Sequence, residues 1–368
     1  MATGRRPVGF AVVGLGHIAQ SQVLPAFERT EGKARLVALV SGDERKSRAL
    51  ASIYGIGKCF SYDRFDDCLA DEEVEAVYIA LPNDLHRPYV ERAARAGVHV
   101  LCEKPLALSE ADCRAMIDAC ATGGVELMTA YRLHFEEANL RAVDWVRRRR
   151  IGEPRVFSSL FGYQVEPGNI RTSAERGGGP AWDLGIYCVN AARSLFGDEP
   201  VEVFAEALGG DARFRDVEAA MGALLRFPGE RIAQFSVSFD TAPVAHWRMM
   251  GTEGELELVD AYEYAAPRKL TLRRDDDVVH YEFGVVDQFA PELAHFADCI
   301  REGRRPIPDG EEGLRDVRIV EALHRSARER RPIALPSLPG RLRPDPSLAI
   351  HVPPGAVPPL VEAEAPSQ

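Results

Sequence analysis

The sequence predicts an α/β chain built as a parallel, doubly wound sheet covered on both faces, followed by a mostly antiparallel open sheet. Three observations predict it. Apolar strands alternate with helical stretches from residue 7 to about 128, a glycine-rich turn directly follows the first strand, and from about residue 154 the patterning switches to period two. The expected divisions are 1–128, 129–336 and a proline-rich tail, 337–368, that is extended or disordered.

The first division reads as five strands: "VGFAVVG", "ARLVALVSG", "VEAVYIALP", "VHVLCEKP" and "VELMTAY". Each is a short Val-, Ile- or Leu-rich run bounded by breakers. Helical patterns separate them, one opening at Ser109 as N-cap and stopping at Gly123-Gly124. Pro25 should break the first helix near Leu24. A helix over about 136–150 follows, then alternating segments at 154–166 and between 200 and 284, with helices at about 180–196, 287–302 and 311–330 flanking that sheet.

At 368 residues the chain can build two cores without disulfides. Its 45 basic and 56 acidic residues give a net charge of −11, which argues against nucleic-acid binding. Seven scattered cysteines with no CxxC pair indicate reduced thiols rather than disulfides or a metal site. No run is long enough to span a membrane. Arg5-Arg6 precedes a segment too short for an export signal, so a cytoplasmic protein is expected.

Candidate chemistry starts at "GLGHIA". Gly14, Gly16, His17, Ile18 and Ala19 sit between a strand and a helix, matching G-x-G-x-x-G/A, where a pyrophosphate meets a helix N-terminus. The tip of the second strand offers Ser41, Gly42 and Lys46, a hydroxyl and a cation that suit the 2′-phosphate of NADP, while Asp43 could still hold the ribose of NAD. The third long strand ends in Leu81, Pro82, Asn83 and His86, at the edge where open α/β sheets bind ligands. The fourth ends in Glu103-Lys104-Pro105. Charges are costly to desolvate, so a lysine closing a buried strand either pairs with Glu103 or serves a reacting group. Far along the chain, "ERGGGPAWDLGIYCVNAARSLFG" begins a helix that sets Asp183 and Tyr187 four residues apart on one face.

"GLGHIA", "LPNDLH", "CEKPLAL" and the "GGGPAWDLGIY" helix, in this order, resemble the glucose–fructose oxidoreductase/inositol dehydrogenase (Gfo/Idh/MocA) family over about residues 7 to 335. The resemblance implies a Rossmann domain binding NADP (NAD possible) and a C-terminal domain whose sheet mediates dimers or tetramers. It makes Lys104 the catalytic lysine, Asp183 the substrate-positioning acid and Tyr187 the proton carrier, with Glu103 beside the cofactor. A tyrosine at 187 is similar to the NADP-linked aldose and dihydrodiol dehydrogenase branch.

Hydride transfer at a hydroxyl-bearing carbon of a sugar, polyol or cyclic diol is therefore expected, with Lys104 polarising the tyrosine oxygen. Tyr131, Arg132, Tyr163 and Trp182, together with His134 and Asn169, are further candidates for the substrate pocket. No N-terminal arm of the glucose–fructose oxidoreductase kind is present, so an exchangeable cofactor is expected. An NAD-dependent glycosidase of the same fold and a non-catalytic dinucleotide-binding regulator stay open as alternatives.

Overall fold

The computed structural model describes residues 6–338, 344–363 and 365–367. Residues 1–5, 339–343, 364 and 368 lie outside the described residues, and with them Arg5 of the arginine pair and parts of the 337–368 segment.

The apolar runs of the first division form β1 (Val8–Val13), β2 (Ala34–Val40), β4 (Ala76–Ile79), β5 (His99–Glu103) and β6 (Leu127–Ala130), and a short edge strand, β3 (Lys58–Phe60), joins them. All pair in parallel in the order β3-β2-β1-β4-β5-β6. β1 and β4 are buried along their whole length, as expected of strands covered on both faces. Ser109 caps the helix Glu110–Gly123 by accepting from the Asp112 amide, and Gly124 ends it in the left-handed conformation. Around Pro25 the chain stays helical but changes winding: Ala19–Val23 is π-helical and Leu24–Ala26 is α-helical.

The second sheet has nine strands, β7 (Pro154–Gln164), β8 (Glu202–Leu208), β9 (Ala220–Phe227), β10 (Arg231–Ser238), β11 (Asp240–Gly251), β12 (Glu255–Val259), β13 (Arg268–Arg274), β14 (Asp277–Phe283) and β15 (Ile333–Ala334). Their order is β14-β13-β12-β11-β7-β10-β9-β8-β15, antiparallel except where β7 meets β10. Period-two alternation puts Phe157, Phe161, Leu225, Phe235 and Trp247 inward. On the opposite face Leu160, Phe204, Leu224 and Val259 remain exposed.

The helix Phe289–Glu302 departs from expectation. Its period fits any sheet face, but it covers the parallel sheet rather than the antiparallel one. Phe289, Leu293 and Phe296 join a core with Phe10, Phe27 and Leu39, the Phe10 and Phe296 rings lying 6.2 Å apart edge to face. Each such buried side chain contributes about 1.5–3 kcal/mol, which outweighs the entropy of the long return path. The helix Gly310–Glu329 packs against the helix Glu110–Gly123, β6 and β8, so it touches both sheets. The segment expected to be extended or disordered is, where described, irregular chain lying on the protein, with one 3-10 turn at Pro346–Leu348.

Candidate active site

At the carboxyl end of β1 the chain must turn sharply into the next helix. Gly14 has φ +94° and its missing side chain leaves room for the Ala80 carbonyl, which a Cβ would meet at 2.4 Å. Gly16 faces open space, the cradle that close approach of a pyrophosphate requires. The cleft above this turn encloses about 820 Å³, room for a large ligand. Gly14, Gly16, His17, Ile18, Ser41, Lys46, Leu81, Pro82, Asn83, Glu103 and Lys104 line it, as do Arg132, Tyr163, Asp183 and Tyr187. The donor set fits a dinucleotide.

Asp43 does not line this cleft. Its carboxylate caps the helix Glu44–Tyr54 by accepting from the Lys46 amide at 3.0 Å, which holds its pKa below the ordinary carboxylate value. The acid that could have read a ribose is occupied, and Ser41 and Lys46 face the cleft instead.

Lys104 closes β5, and the Lys104–Pro105 bond is cis. Its ammonium does not pair with Glu103. Nζ donates to Asp183 Oδ1 at 2.8 Å and to the Asp183 carbonyl at 3.0 Å. It also stands 4.6 Å from the centre of the Tyr187 ring. Arg132 approaches the same ring at 5.1 Å. Arg132 is fixed there by donating to the Tyr262 carbonyl at 2.5 Å and to Gln288. Two cations therefore flank one phenol.

Asp183 is held from both sides. Arg171 Nε donates to Oδ2 at 2.7 Å and the Tyr163 hydroxyl to the same oxygen at 3.2 Å. Burial opposes its charge, but Arg171 and Lys104 outweigh burial and hold its carboxyl well below the usual range. Burial likewise works against the Lys104 ammonium, and Asp183 more than compensates, raising its pKa. Both stay ionised. Asp183 sits in a π-helical turn, Ala181–Gly185, from which the α-helix Ile186–Phe196 continues with Tyr187. The glycines ahead of it let the 171–173 loop close over: a Cβ on Gly178 would stand 2.3 Å from the Arg171 carbonyl.

Seven candidates lie elsewhere. His86 is fully buried, its ring nitrogens 2.9 Å from the Pro105 and Leu81 carbonyls, so it braces the Lys104 turn from behind. Tyr131 stacks on His134 beside a separate cavity behind Tyr187. Trp182 stacks on His324, next to Glu218, which accepts from the Ala181 amide at 3.2 Å and whose pKa burial pushes up to about 7. Ala19 is buried in the helix after the glycine turn, and Gly42 packs on Tyr62. Asn169 caps a short turn and bonds Arg171. Sequence reading passed over Arg171, whose one signal was a cation in a glycine-rich loop twelve positions before the acid, and over Tyr264 from the loop after β12.

A second polar cluster lies behind Lys104. The Tyr78 hydroxyl donates to Glu103 Oε1 at 2.7 Å. Glu292, fully buried, faces the same tyrosine hydroxyl. Burial, with the Glu103 charge, pushes the Glu292 carboxyl well above its ordinary value, and burial raises Glu103.

A family model described as an oxidoreductase family with an NAD-binding Rossmann fold matches residues 8–131, and one described as the GFO/IDH/MocA C-terminal domain matches residues 139–257. The chain is 34% identical to D-xylose 1-dehydrogenase (NADP(+)) 2 of Haloferax volcanii, over 86% of this chain and 97% of that protein. It is 33% identical to a dTDP-3,4-didehydro-2,6-dideoxy-alpha-D-glucose 3-reductase of Streptomyces violaceoruber, over 88% and 96%. The crystal structure of aldose-aldose oxidoreductase from Caulobacter crescentus, complexed with glycerol, superimposes with a TM-score of 0.86 at 38% identity. That match covers 90% of this chain and all of the other.

Proposed function

The chain belongs to the Gfo/Idh/MocA oxidoreductase family, and on that premise we propose that it moves hydride between NADP and a hydroxyl-bearing carbon of a free aldose. The observation that carries this reading is the Lys104–Asp183 ion pair, 2.8 Å long, beside Tyr187 inside the dinucleotide cleft. The nicotinamide, when bound, supplies or takes up the hydride. Gly14, Gly16, Ser41 and Lys46 would hold the dinucleotide, with Leu81, Pro82, Asn83 and Glu103 lining the rest of its cleft.

Tyr187 exchanges the proton of the substrate hydroxyl. Lys104 and Arg132 stabilise negative charge developing at the reacting oxygen. Asp183, Tyr163 and Arg171 form a fixed set of donors and acceptors for neighbouring hydroxyls. The NADP preference rests on Ser41 and Lys46 facing the cleft while Asp43 caps a helix.

The test is turnover of D-xylose, other aldoses and a dTDP-hexose with NADP and NAD, followed by cofactor absorbance. Aldose oxidation with NADP is the expected result. Turnover confined to the dTDP-sugar, or to NAD, would overturn it. We place the protein in the cytoplasm, and we infer self-association through the exposed Leu160, Phe204 and Leu224 face, read by light scattering.

A further inference from the structure

The chain past the last strand returns to the cleft. Pro344 accepts from Arg147 at 2.6 Å, and Val352 is buried in the Rossmann-side core with its carbonyl accepting from the Asp287 amide at 2.8 Å. Further on, Gln20 takes hold of it. This side chain, 2% exposed, projects from the helical segment after the glycine turn. Its Nε2 donates to the Val361 carbonyl at 3.0 Å and its Oε1 accepts from the Val361 amide at 2.8 Å. The same Nε2 donates to the Leu15 carbonyl, inside the turn itself, at 2.8 Å. Glu362, next along, lies against Asp43 at the tip of β2. The Pro366 carbonyl then accepts from the Glu166 amide at 3.1 Å, in the loop after β7. Pro366 and Ser367 line the cleft together with Gly16, His17 and Arg171.

We propose that residues 361–363 and 365–367 act as a strap at the dinucleotide cleft, part of the cofactor site, that controls how fast the cofactor enters and leaves. The inference rests on the dinucleotide reading of that cleft. The strap is tied at Val361 to the Rossmann wall and at Pro366 to the wall made by the second sheet. Five residues of chain reach at most roughly 17 Å, so the two anchors together limit how far the walls can part. Letting go at Val361 leaves the buried Gln20 amide without two of its three hydrogen bonds, and an unpaired buried amide is costly. Opening is therefore slow relative to an unstrapped cleft, and the cofactor is retained rather than freely exchanged, contrary to the exchangeable cofactor expected from sequence.

The experiment is a chase. Full-length protein loaded with NADPH is mixed with excess NADP, and the loss of bound NADPH fluorescence gives the release rate. It is repeated with a chain lacking residues 360–368, which keeps Val352 in the core, and with Val361→Pro, which removes the amide that donates to Gln20 without shortening the chain. Release accelerated about tenfold in the deletion and by a smaller factor in Val361→Pro is expected, the scale of two ordinary hydrogen bonds. Release rates agreeing within about twofold across all three would overturn the strap and leave the dinucleotide site standing. Absence of NADPH binding in every variant would remove the dinucleotide reading itself. Val361→Pro alone decides if the deletion does not fold.

Discussion

Two polar clusters flank the end of β5, and each holds a tyrosine and carboxyl groups. On the cleft side, Asp183 meets Lys104 and Arg171, Tyr187 lies between Lys104 and Arg132, and the acid is ionised. On the inner side, Glu103 and Glu292 share Tyr78, Glu292 has no ion-pair partner among the described residues, and burial pushes both carboxyl groups toward the neutral form. Depth alone does not separate them, since burial opposes charge in both. The partners do: a cation at 2.8 Å offsets desolvation, and a second acid adds to it. One side of the strand end carries fixed charge toward the cleft, while on the other burial shifts the carboxyl groups in the direction of the neutral form.

The widest gap between the two should appear in turnover. Tyr187→Phe should lower kcat/KM by about 10² to 10⁴ while NADPH affinity, measured by fluorescence titration, stays near that of the parent. Equal turnover would erase the distinction between the two phenols. Asp183→Asn comes next. It leaves Lys104 and Arg171 facing each other with no countercharge, a loss on the order of 3 kcal/mol in urea unfolding.

The two sides should also respond to pH with opposite signs. The folded Asp183 pKa is lowered, so its contribution is complete above about pH 4 and disappears as pH falls further. The folded Glu292 pKa is raised, so its contribution is complete below about pH 4 and erodes as pH rises toward the folded value. Glu292→Gln keeps the neutral shape and removes that erosion. Its stability between pH 5 and 8 should decline less steeply than the parent's, by about 1 kcal/mol or more. An unchanged slope would mean that Glu292 is ionised in the fold. The smallest effect is expected of Tyr78→Phe, which removes one donor to Glu103. It should cost about 1 kcal/mol and leave kcat within the same order of magnitude.

How much of this could be read beforehand follows from how local each signal is. The glycine turn, Lys104 and Asp183 with Tyr187 are motifs whose spacing is itself the geometry, and the structure brings them into one cleft. Arg171 reaches Asp183 only because a glycine-rich loop folds back, and no periodicity encodes that path. Tyr131, His86 and Trp182 lie next to motif residues in sequence, yet each points away from the cleft. Polarity and proximity say that a side chain needs a partner, not on which side it finds one. Strand β11 carries Pro243 and β3 is three residues long, so neither was a clear strand beforehand. The helix 289–302 displayed its amphipathic stripe plainly, but the stripe does not name the surface it covers.

That last placement shapes how the molecule can be made. A ribosome releasing this chain would expose the β1 surface around Phe10 long before Phe296 emerges to shield it. The nucleotide-binding half is therefore an unfinished object for most of its synthesis, sticky on the side awaiting a late helix. A fragment ending at residue 131 would carry every motif of that half and still be prone to aggregate.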